Sequence, residues 1–335
     1  MQFYLSPSLD AAWNLAFEEV LWRSGENAFL LWRNAPAVIV GRHQNTFQEV
    51  NGDFAREQGI AIVRRVTGGG AVYHDPGNIN FTLTAAARAW REESAKECLA
   101  PVLAALAALR FTECQLSGRN DVLYRERKIS GCARSVQLNR MLFHGTLLYD
   151  ADLTILSSVL TPDPEKIRSK GVPSVRARVG NLRELAGFHA PDTETFLQNF
   201  AGEIARQLAV SGPAPLPEKW ILQADHLAES KYRTREWNWG TAFPCDLVRK
   251  KQFRTGWVTV EMKIRGHRLE KVRFSGDFFA DRPVQLLEML LEGVAPEYPA
   301  VLEKLREAKA DDLIAGVSAA ELAELLSLQK GPAKQ

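Results

Sequence analysis

The apolar residues of the chain follow two different periods, which predict two kinds of element. Apolar side chains recur every three or four positions across residues 10–23, 92–109 and 193–209, the spacing of amphipathic helices. Across residues 78–84 and 256–264 they alternate with polar side chains, the spacing of half-buried strands. Both periods occur in both halves of the chain, so the pattern predicts an α+β protein.

The stretch Arg64–Tyr73 lies between two predicted strands and is rich in glycine and arginine. The apolar run Ile60–Val63 precedes it, and the alternating run begins at Asn78. Gly68–Gly70 permit positive φ angles and close approach of a ligand to main-chain N–H groups, and the two arginines before them add positive charge. We interpret this stretch as an anion site for a small phosphorylated or carboxylated ligand. A plain hairpin or flexible loop is the alternative, and neither a P-loop nor a GxGxxG pattern is present.

The composition changes at about residue 246, which predicts a second domain. Gly256–Ile264 and Leu269–Phe274 have the pattern of a β-hairpin, and three predicted helices follow them. We therefore divide the chain into a large domain, residues 1–245, and a small α+β domain, residues 246–335.

Length and composition exclude several classes of protein. With 335 residues, 46% of them hydrophobic, the chain has enough apolar surface for a sizeable core. A net charge of +2 without a long basic run argues against nucleic-acid binding. The four cysteines form no CxxC pair, which argues against disulfides and zinc and favours a reducing compartment. We find no secretory signal and no apolar window of about 20 residues, so we expect a cytoplasmic protein without a membrane span.

Candidate chemistry appears in the stretch Arg127–Ala133. Lys128 is followed by Gly131 and other small residues, which leave space for a ligand beside the lysine, although an isolated lysine on a strand is commonly solvated. Cys132 is either a nucleophile whose thiolate Lys128 stabilises or a buried small side chain. His144 is either a site residue or a structural histidine.

Three further segments have open interpretations. Gly41–Asn45 follows a predicted strand and either lines a site or forms an exposed loop. Residues 169–179 are basic and form either a solvated loop or a lid over an anionic ligand. Glu236–Gly240 carries two tryptophans, and we interpret it as a packing or linker element rather than part of an active site.

Taken together, these stretches resemble the lipoate–protein ligase family, and the resemblance covers nearly the whole chain. It rests on several sequence words in the expected order. They are Arg64-Arg65-x-Thr67-Gly68-Gly69-Gly70-Ala71-Val72-Tyr73-His74-Asp75, Gly118-Arg119-Asn120-Asp121, Lys128-Ile129-Ser130-Gly131, His144-Gly145-Thr146-Leu147-Leu148, Lys170-Gly171-x-x-Ser174-Val175-Arg176 and Glu236-Trp237-Asn238-Trp239-Gly240.

The resemblance implies a fold and a reaction. The fold would be a large catalytic domain built on a mixed β-sheet with flanking helices, followed by a small accessory domain. The reaction would use ATP and Mg²⁺ to convert lipoate to lipoyl-AMP. The lipoyl group would then pass to a lysine of a carrier domain in a 2-oxoacid dehydrogenase E2 subunit or the glycine-cleavage H protein. Because carboxylate attack on a phosphate brings two anions together, this chemistry needs fixed cations and N–H donors.

The resemblance also assigns roles to residues of this chain. Lys128 would be catalytic as an electrostatic clamp, and Asp121 would help to place Mg²⁺. ATP and lipoyl-AMP would be bound by Arg65, Gly69, Gly70, Ala71, Val72, Tyr73, Asn120, Lys128, Lys170, Val175 and Arg176. Lipoate would be bound by Arg65, Gly70, Val72, His74, Lys128 and His144.

One position departs from the family pattern: residue 132 is cysteine where the ligases compared carry Ser or Thr. An alternative function is therefore an ATP-independent lipoyl or octanoyl transferase, which would use preformed lipoyl-AMP or an acylated donor protein. A non-catalytic protein that binds lipoylated domains is a third alternative, against which the presence of both Arg65 and Lys128 argues.

Overall fold

The computed structural model describes residues 1–87, 94–118, 120–137, 139–161, 179–241, 243–254, 256–280 and 282–328. Its helices are α1 Ala11–Arg23, α2 Thr46–Glu49, α3 Gly52–Glu57, α4 Ser94–Ala108, α5 Leu153–Val159, α6 Leu182–Leu185, α7 Thr193–Gln207, α8 Glu218–Leu227, α9 Arg235–Trp239, α10 Gln285–Leu291, α11 Tyr298–Glu307 and α12 Ala319–Leu326, with a π-helix at Ala228–Tyr232 and a 3₁₀ helix at Ala310–Asp312.

The strands belong to three sheets. In chain order they are β1 Gln2–Leu5, β2 Ala28–Arg33, β3 Ala37–Val40, β4 Ala61–Arg64, β5 Val72–His74, β6 Asn78–Ala86, β7 Gln115–Ser117, β8 Asp121–Tyr124, β9 Arg127–Gln137, β10 Arg140–Leu148, β11 Leu247–Phe253, β12 Gly256–Arg265 and β13 Arg268–Gly276. The largest sheet has the order β1-β2-β6-β10-β9-β8-β7, and the two three-stranded sheets have the orders β4-β3-β5 and β11-β12-β13. Strands β1 and β2 are parallel and the other pairs of the large sheet are antiparallel, so the predicted mixed sheet is confirmed.

The central strand β6 differs from its predicted environment. The alternation predicted a half-buried strand, yet Asn78–Thr84 is buried on both faces. The apolar face of β6 joins the large core, where Phe81 stacks on Phe29 with ring centroids 6.4 Å apart. The polar face is covered as well, so Asn80 and Thr82 are buried. Buried polar groups need partners or a ligand, and this face therefore marks the site described below.

Helix α1 supplies charged groups to the interior. The predicted helix over residues 10–23 forms, and the Asp10 carboxylate caps its first turn by accepting from the N–H groups of Ala12 and Trp13. The pattern predicted a single apolar stripe, but Glu18 and Glu19 are also buried. A buried carboxylate requires compensating donors, so α1 both packs and positions charge.

The chain forms two compact units. The first contains Met1–Val40, Thr46–Arg65 and Ala71–Asn238, and the second contains Gly41–Asn45, Val66–Gly70 and Trp239–Gln335. The domain boundary between residues 245 and 246 stays a prediction.

The second unit contains the predicted hairpin and the helices that follow it. Val260 and Phe274 pair across β12 and β13 and enter a core that α10, α11 and α12 complete. Ser318 and Glu321 have the sequence spacing that predicts a capping box, and the box forms: Ser318 accepts from the Glu321 N–H, and the Glu321 carboxylate accepts from the Ser318 N–H.

The sequence of Phe111–Leu116 predicts a strand, and this prediction is wrong at its start, because the strand is Gln115–Ser117. Phe111 is apolar and buried for another reason: its ring packs edge-on against Phe196, 5.9 Å away.

Among the residues that the structure describes, no helix has the length and apolar character needed to cross a membrane.

Candidate functional site

The lysine predicted to be catalytic lies on β9, beside an aspartate of β8. The two strands are antiparallel, and their register shifts by one residue between Val122 and Leu123. This bulge brings Lys128 beside Asp121, with 2.7 Å between Lys128 Nζ and Asp121 Oδ1. Both side chains are about one-third exposed, so the pair can reach a ligand.

Gly131 provides the space for this ion pair. It lies directly opposite Asp121 in the β8–β9 ladder. A Cβ atom added at Gly131 would lie 3.2 Å from Lys128 Nζ and 4.0 Å from Asp121 Oδ1. The close approach expected at this glycine therefore involves the side chain of Lys128.

Asn120 fixes the turn before Asp121 to β9. Its carbonyl oxygen accepts from the Cys132 N–H at 2.7 Å, and its Nδ2 donates to the Cys132 carbonyl oxygen at 3.1 Å. Asn120 thus holds the neighbouring Asp121 in register with β9. Arg119, the residue before Asn120, lies outside the described residues.

Cys132 is a buried thiol rather than an exposed nucleophile. Only 4% of the residue is exposed, and burial raises the pKa of its thiol to about 12, although the Ser130 hydroxyl and the Lys128 charge oppose the shift. A Cβ at Gly145 would lie 2.9 Å from Cys132 Sγ, so the sulfur packs closely against β10. Its thiolate is therefore scarce at neutral pH.

His144 belongs to a buried hydrogen-bonded chain that begins on α1. His144 Nδ1 lies 2.8 Å from Glu18 Oε1, and the Thr82 hydroxyl donates to the same oxygen at 2.6 Å. Trp32 Nε1 donates in turn to Thr82 Oγ1 at 2.9 Å. Glu18, Thr82 and Trp32 were not predicted as site residues. The signal that could have found Glu18 and Thr82 is a polar side chain within an otherwise buried helix face or strand face.

Arg65 is a buried cation at the end of β4. Its N–H donates to the Val40 carbonyl at 2.9 Å, and its Nη1 donates to the Ile39 carbonyl at 3.1 Å. Burial lowers the pKa of Arg65 to about 10, and the Glu18 carboxylate opposes the shift. The guanidinium therefore remains charged at neutral pH.

His74 is a buried neutral imidazole at the end of β5. Burial, with the Arg65 charge and His144, lowers the pKa of His74 to about 3. Its Nδ1 accepts from Asn34 Nδ2 at 3.1 Å. Its Nε2 is buried without a hydrogen-bond partner among the described residues, as is Oε2 of Glu18. Such atoms are natural contacts for a polar ligand or an ordered water.

Tyr73 and its neighbours form the remaining part of the predicted site in the first unit. Val72 pairs with Ile39 and is half-buried. The Tyr73 ring enters a small core with Val38, and burial raises the pKa of its hydroxyl to about 12. Ala71 packs at the edge of the same core. The Tyr73 ring therefore packs inside the protein. Of Tyr73, only the main chain fits the predicted contact with ATP and lipoyl-AMP.

Gly69 and Gly70 lie in the second unit. Gly69 has a φ of +93°, a conformation that glycine adopts readily, and its carbonyl lies against Gly41, which has no side chain to obstruct it. A Cβ added at Gly70 would meet no atom within 4 Å. The main chain at Gly70 is thus sterically accessible, as the predicted role requires. The predicted residues Lys170, Val175 and Arg176 lie outside the described residues.

The predicted magnesium ligand is a single carboxylate. Within the described part of the chain, no cluster of three or more His, Cys, Asp or Glu side chains could hold a metal ion. Mg²⁺ commonly takes only one or two protein carboxylates and completes its shell with phosphate oxygens and water. Asp121 fits that donor set.

Fold and site together define an α+β protein whose buried arginine and partly exposed lysine are candidate cations for a small anionic ligand. The model of the lipoyl protein ligase A/B catalytic domain family matches residues 10–205, and that of the bacterial lipoate protein ligase C-terminus matches residues 242–326. The chain belongs to the lipoate–protein ligase family.

Two relatives match most of the chain. It is 34% identical to lipoate–protein ligase 1 of Staphylococcus aureus (strain Mu50 / ATCC 700699) over 321 residues, which cover 95% of this chain and 97% of that protein. It is 33% identical to lipoate-protein ligase LplJ of Bacillus subtilis (strain 168) over 301 residues, which cover 87% and 89%.

Three solved structures have similar folds. Plasmodium falciparum LipL1 in complex with lipoate has a TM-score of 0.75 and 22% identity, and covers 91% of this chain and 94% of that one, which shows the fold alone. A bipartite archaeal lipoate protein ligase, described with its E2 lipoyl domain, from Thermoplasma acidophilum has a TM-score of 0.62 and 28% identity, covering 74% and 100%. A lipoate-protein ligase A bound with ATP has a TM-score of 0.60 and 27% identity, covering 72% and 99%.

Proposed function

We propose that this enzyme is an ATP-dependent lipoate–protein ligase that works in two steps. A lipoate carboxylate oxygen attacks the α-phosphorus of ATP, pyrophosphate leaves, and lipoyl-AMP forms. The amine of a carrier lysine then attacks the lipoyl carbonyl, AMP leaves, and the lysine loses a proton as the amide forms. The carriers would be the lipoyl domains of 2-oxoacid dehydrogenase E2 subunits or the H protein.

The observation that carries this proposal is the presence of two fixed cations, Arg65 and Lys128, in a chain that matches a named ligase over nearly its full length. Arg65 is buried and charged, so water would screen its attraction for an anionic ligand only weakly. A carboxylate held there would be oriented by the guanidinium. His74, neutral and with an unpartnered Nε2, would contact the same ligand without adding charge, and His144 would contact it as well.

Lys128 would stabilise the charge that develops on the α-phosphate. It is about one-third exposed and pairs with Asp121, so phosphate oxygens can compete for its ammonium group. When phosphate takes the lysine, the Asp121 carboxylate would become available to Mg²⁺. Asn120 would support the nucleotide by keeping this turn fixed to β9. The remaining predicted nucleotide contacts would come from Gly69–Tyr73 and from Lys170, Val175 and Arg176.

The alternative of an ATP-independent transferase gains no support from Cys132. A thiol with a pKa of about 12 that is almost wholly buried is a poor nucleophile for a thioester. A cytoplasmic location fits the proposed substrates and stays a prediction.

The test uses the purified protein, lipoate, Mg-ATP and an unmodified carrier domain, with intact mass as the readout. We expect the carrier to gain one lipoyl group only when ATP and Mg²⁺ are both present. Omission of ATP and chelation of Mg²⁺ are the controls. A gain without ATP from an acylated donor protein, or a gain only from supplied lipoyl-AMP, would overturn the proposal in favour of a transferase.

A further inference from the structure

The segment around Trp237 and Asn238 has contacts that a packing or linker element does not need. The Asn238 side chain is buried, and both residues contact Arg64, more than 170 positions earlier in the chain. Arg64 directly precedes Arg65. We call the side chains of Trp237 and Asn238 the Trp-Asn clamp.

The clamp holds both main-chain polar groups of one residue. The Arg64 N–H donates to Asn238 Oδ1 at 2.8 Å, and Trp237 Nε1 donates to the Arg64 carbonyl oxygen at 2.7 Å. Two consecutive side chains thus saturate the main chain at the end of β4. Side-chain groups that replace ladder partners in this way fix where a strand ends.

The side chain of Arg64 is bound to the same segment. Its Nε donates to the Trp237 carbonyl at 2.8 Å, and its Nη2 donates to the Asn238 carbonyl at 3.1 Å and to Thr46 Oγ1 at 2.7 Å. Arg64 is therefore engaged by internal acceptors although it neighbours the site. Of the two consecutive arginines, Arg65 is the one that the proposed function places at the ligand.

The clamp controls Arg65 through one peptide unit. The peptide between Arg64 and Arg65 is planar, so its carbonyl and N–H directions are fixed relative to each other. Its carbonyl accepts from Trp237 and its N–H donates to the Val40 carbonyl at 2.9 Å. With both ends held, the peptide plane is fixed, and with it the position of the Arg65 Cα atom from which the side chain extends.

The clamp is itself anchored to α1. Asn238 Nδ2 donates to the Tyr232 carbonyl at 2.7 Å, at the end of the π-helix. The Tyr232 hydroxyl donates to Glu19 Oε2 at 2.5 Å, and Lys231 Nζ lies 2.6 Å from the same oxygen. Glu19 follows Glu18, which bonds His144, so one helix fixes both the clamp and the histidine side of the site.

We propose that Trp237 and Asn238 are positioning residues for Arg65, which set the place where its guanidinium meets the carboxylate of the acid substrate. This rests on the proposed function, because Arg65 is taken there as the carboxylate partner. Loss of the Trp237 donor removes one of the two hydrogen bonds that hold this peptide plane, so the effect appears where Arg65 acts.

The experiment compares Trp237→Phe with Trp13→Phe by lipoate-dependent ATP–pyrophosphate exchange. Phenylalanine keeps the ring and removes only the indole N–H. Trp13 is the matched control, since its Nε1 donates to Asp225 at 2.7 Å on the surface of the same unit. We expect kcat/KM for lipoate to fall about tenfold in Trp237→Phe and to stay within about twofold in Trp13→Phe.

A double-mutant cycle with Arg65→Lys distinguishes positioning from a general loss of structure. If the clamp acts through Arg65, Trp237→Phe costs less than about threefold in the Arg65→Lys background. If the two losses multiply in full, the proposal is overturned. Equal melting temperatures of Trp237→Phe and Trp13→Phe confirm that both variants are folded.

A second readout needs no activity. If the wild-type protein shows no lipoate-dependent ATP–pyrophosphate exchange, the proposed function is refuted. The Trp-Asn clamp is then tested by amide hydrogen exchange at Arg64 and Arg65. Asn238→Ala removes the acceptor of the Arg64 N–H, so we expect exchange there to rise at least about tenfold, with none of this rise in Trp13→Phe. Unchanged protection in Asn238→Ala overturns the positioning role by itself.

Discussion

Buried charge is the main feature of the site at the scale of single residues. Arg65 and Glu18 are both almost fully buried, and their opposite charges compensate each other. Removal of either side chain would leave the other as an uncompensated charge in the interior. His74 lies nearby and stays neutral. An acid substrate entering this environment would meet the positive charge of Arg65 and the neutral His74, with the Glu18 carboxylate nearby.

Lys128→Ala is expected to abolish adenylate formation and leave the fold intact. Removal of a single group that stabilises developing charge costs about a hundredfold to a thousandfold in rate. ATP–pyrophosphate exchange with lipoate measures the step directly. Lys219→Ala, an exposed lysine on α8, is the matched control and should keep near wild-type exchange. ATP–pyrophosphate exchange in Lys128→Ala at the level of that control would show that Lys128 does not stabilise the charge on the α-phosphate.

The buried neutral His74 predicts loss of stability in acid. Its pKa is lowered from 6.5 to about 3 in the folded chain, so between these values the unfolded chain binds a proton that the folded chain does not. The stabilisation is fully present above pH 6.5 and is lost as pH falls towards 3, at up to about 1.4 kcal/mol per pH unit. Urea unfolding at pH 7, 6, 5 and 4 measures this slope.

The control for that slope is a pair of variants. His74→Asn removes the titrating group, so its stability should fall less steeply with acid than that of the wild type. His189→Asn replaces an exposed histidine and should keep the wild-type slope. Parallel curves for the wild type and His74→Asn would contradict the assignment.

At the scale of elements, a single register shift creates the Lys128–Asp121 pair. The bulge between β8 and β9 turns Lys128 towards Asp121, and Gly131 keeps the space between them open. Helix α1 works in a comparable way, because consecutive residues Glu18 and Glu19 serve the histidine side of the site and the Trp-Asn clamp. The candidate functional groups are therefore positioned by a bulge between two strands and by buried charges on a helix, not by the regular parts of these elements.

Two glycines differ in the space that surrounds an added methyl group. Gly77 follows β5, and its Cβ would collide with the main chain at Asp150, whose N–H donates to the Gly77 carbonyl at 2.9 Å. We expect Gly77→Ala to lower the free energy of unfolding by about 3 kcal/mol. Gly202, within α7, has open space around the added atom, so Gly202→Ala should raise it by about 0.5–1 kcal/mol.

Chemical unfolding of both variants supplies the measurement. The two substitutions add the same methyl group, so opposite signs identify the surroundings as the cause. A Gly77→Ala protein as stable as the wild type would mean that the turn can move away from Asp150.

At the scale of the whole molecule, the chain consists of two units with separate apolar cores. The core of the first unit is centred on β6 and its neighbours, and that of the second on β12 and β13. The second unit also includes Gly41–Asn45 and Val66–Gly70, so the glycine-rich segment and the C-terminal helices belong to one compact body. In that body the His43 ring stacks on Phe278 at 4.8 Å.

Ligand binding should stabilise the whole chain by mass action. A ligand at about 100 times its dissociation constant contributes about 2.7 kcal/mol. We expect lipoate with Mg-ATP to raise the melting temperature more than the sum of the two separate shifts, because lipoyl-AMP carries the contacts of both. Scanning fluorimetry measures the shift, and Lys128→Ala should lose the excess while keeping a shift with lipoate. A purely additive shift in the wild type would contradict formation of the adenylate.

The sequence by itself determined the kinds of element and several local features. The periods of apolar residues predicted α1, β6 and the β12–β13 hairpin, and the Ser318–Glu321 capping box formed as expected. These features depend on neighbours within a few positions, which is the range over which sequence patterns act. The motif words also identified the family, since their order is a property of sequence alone.

Only the tertiary structure decided which polar groups are buried and what they contact. Strand β6 was predicted to be half-buried, but its polar side is covered too, and Thr82 on that side donates to Glu18 of the distant helix α1. The burial of Cys132 raises its pKa, and the Trp-Asn clamp joins residues more than 170 positions apart. Desolvation and long-range hydrogen bonds depend on three-dimensional neighbours, so no local pattern could reveal them.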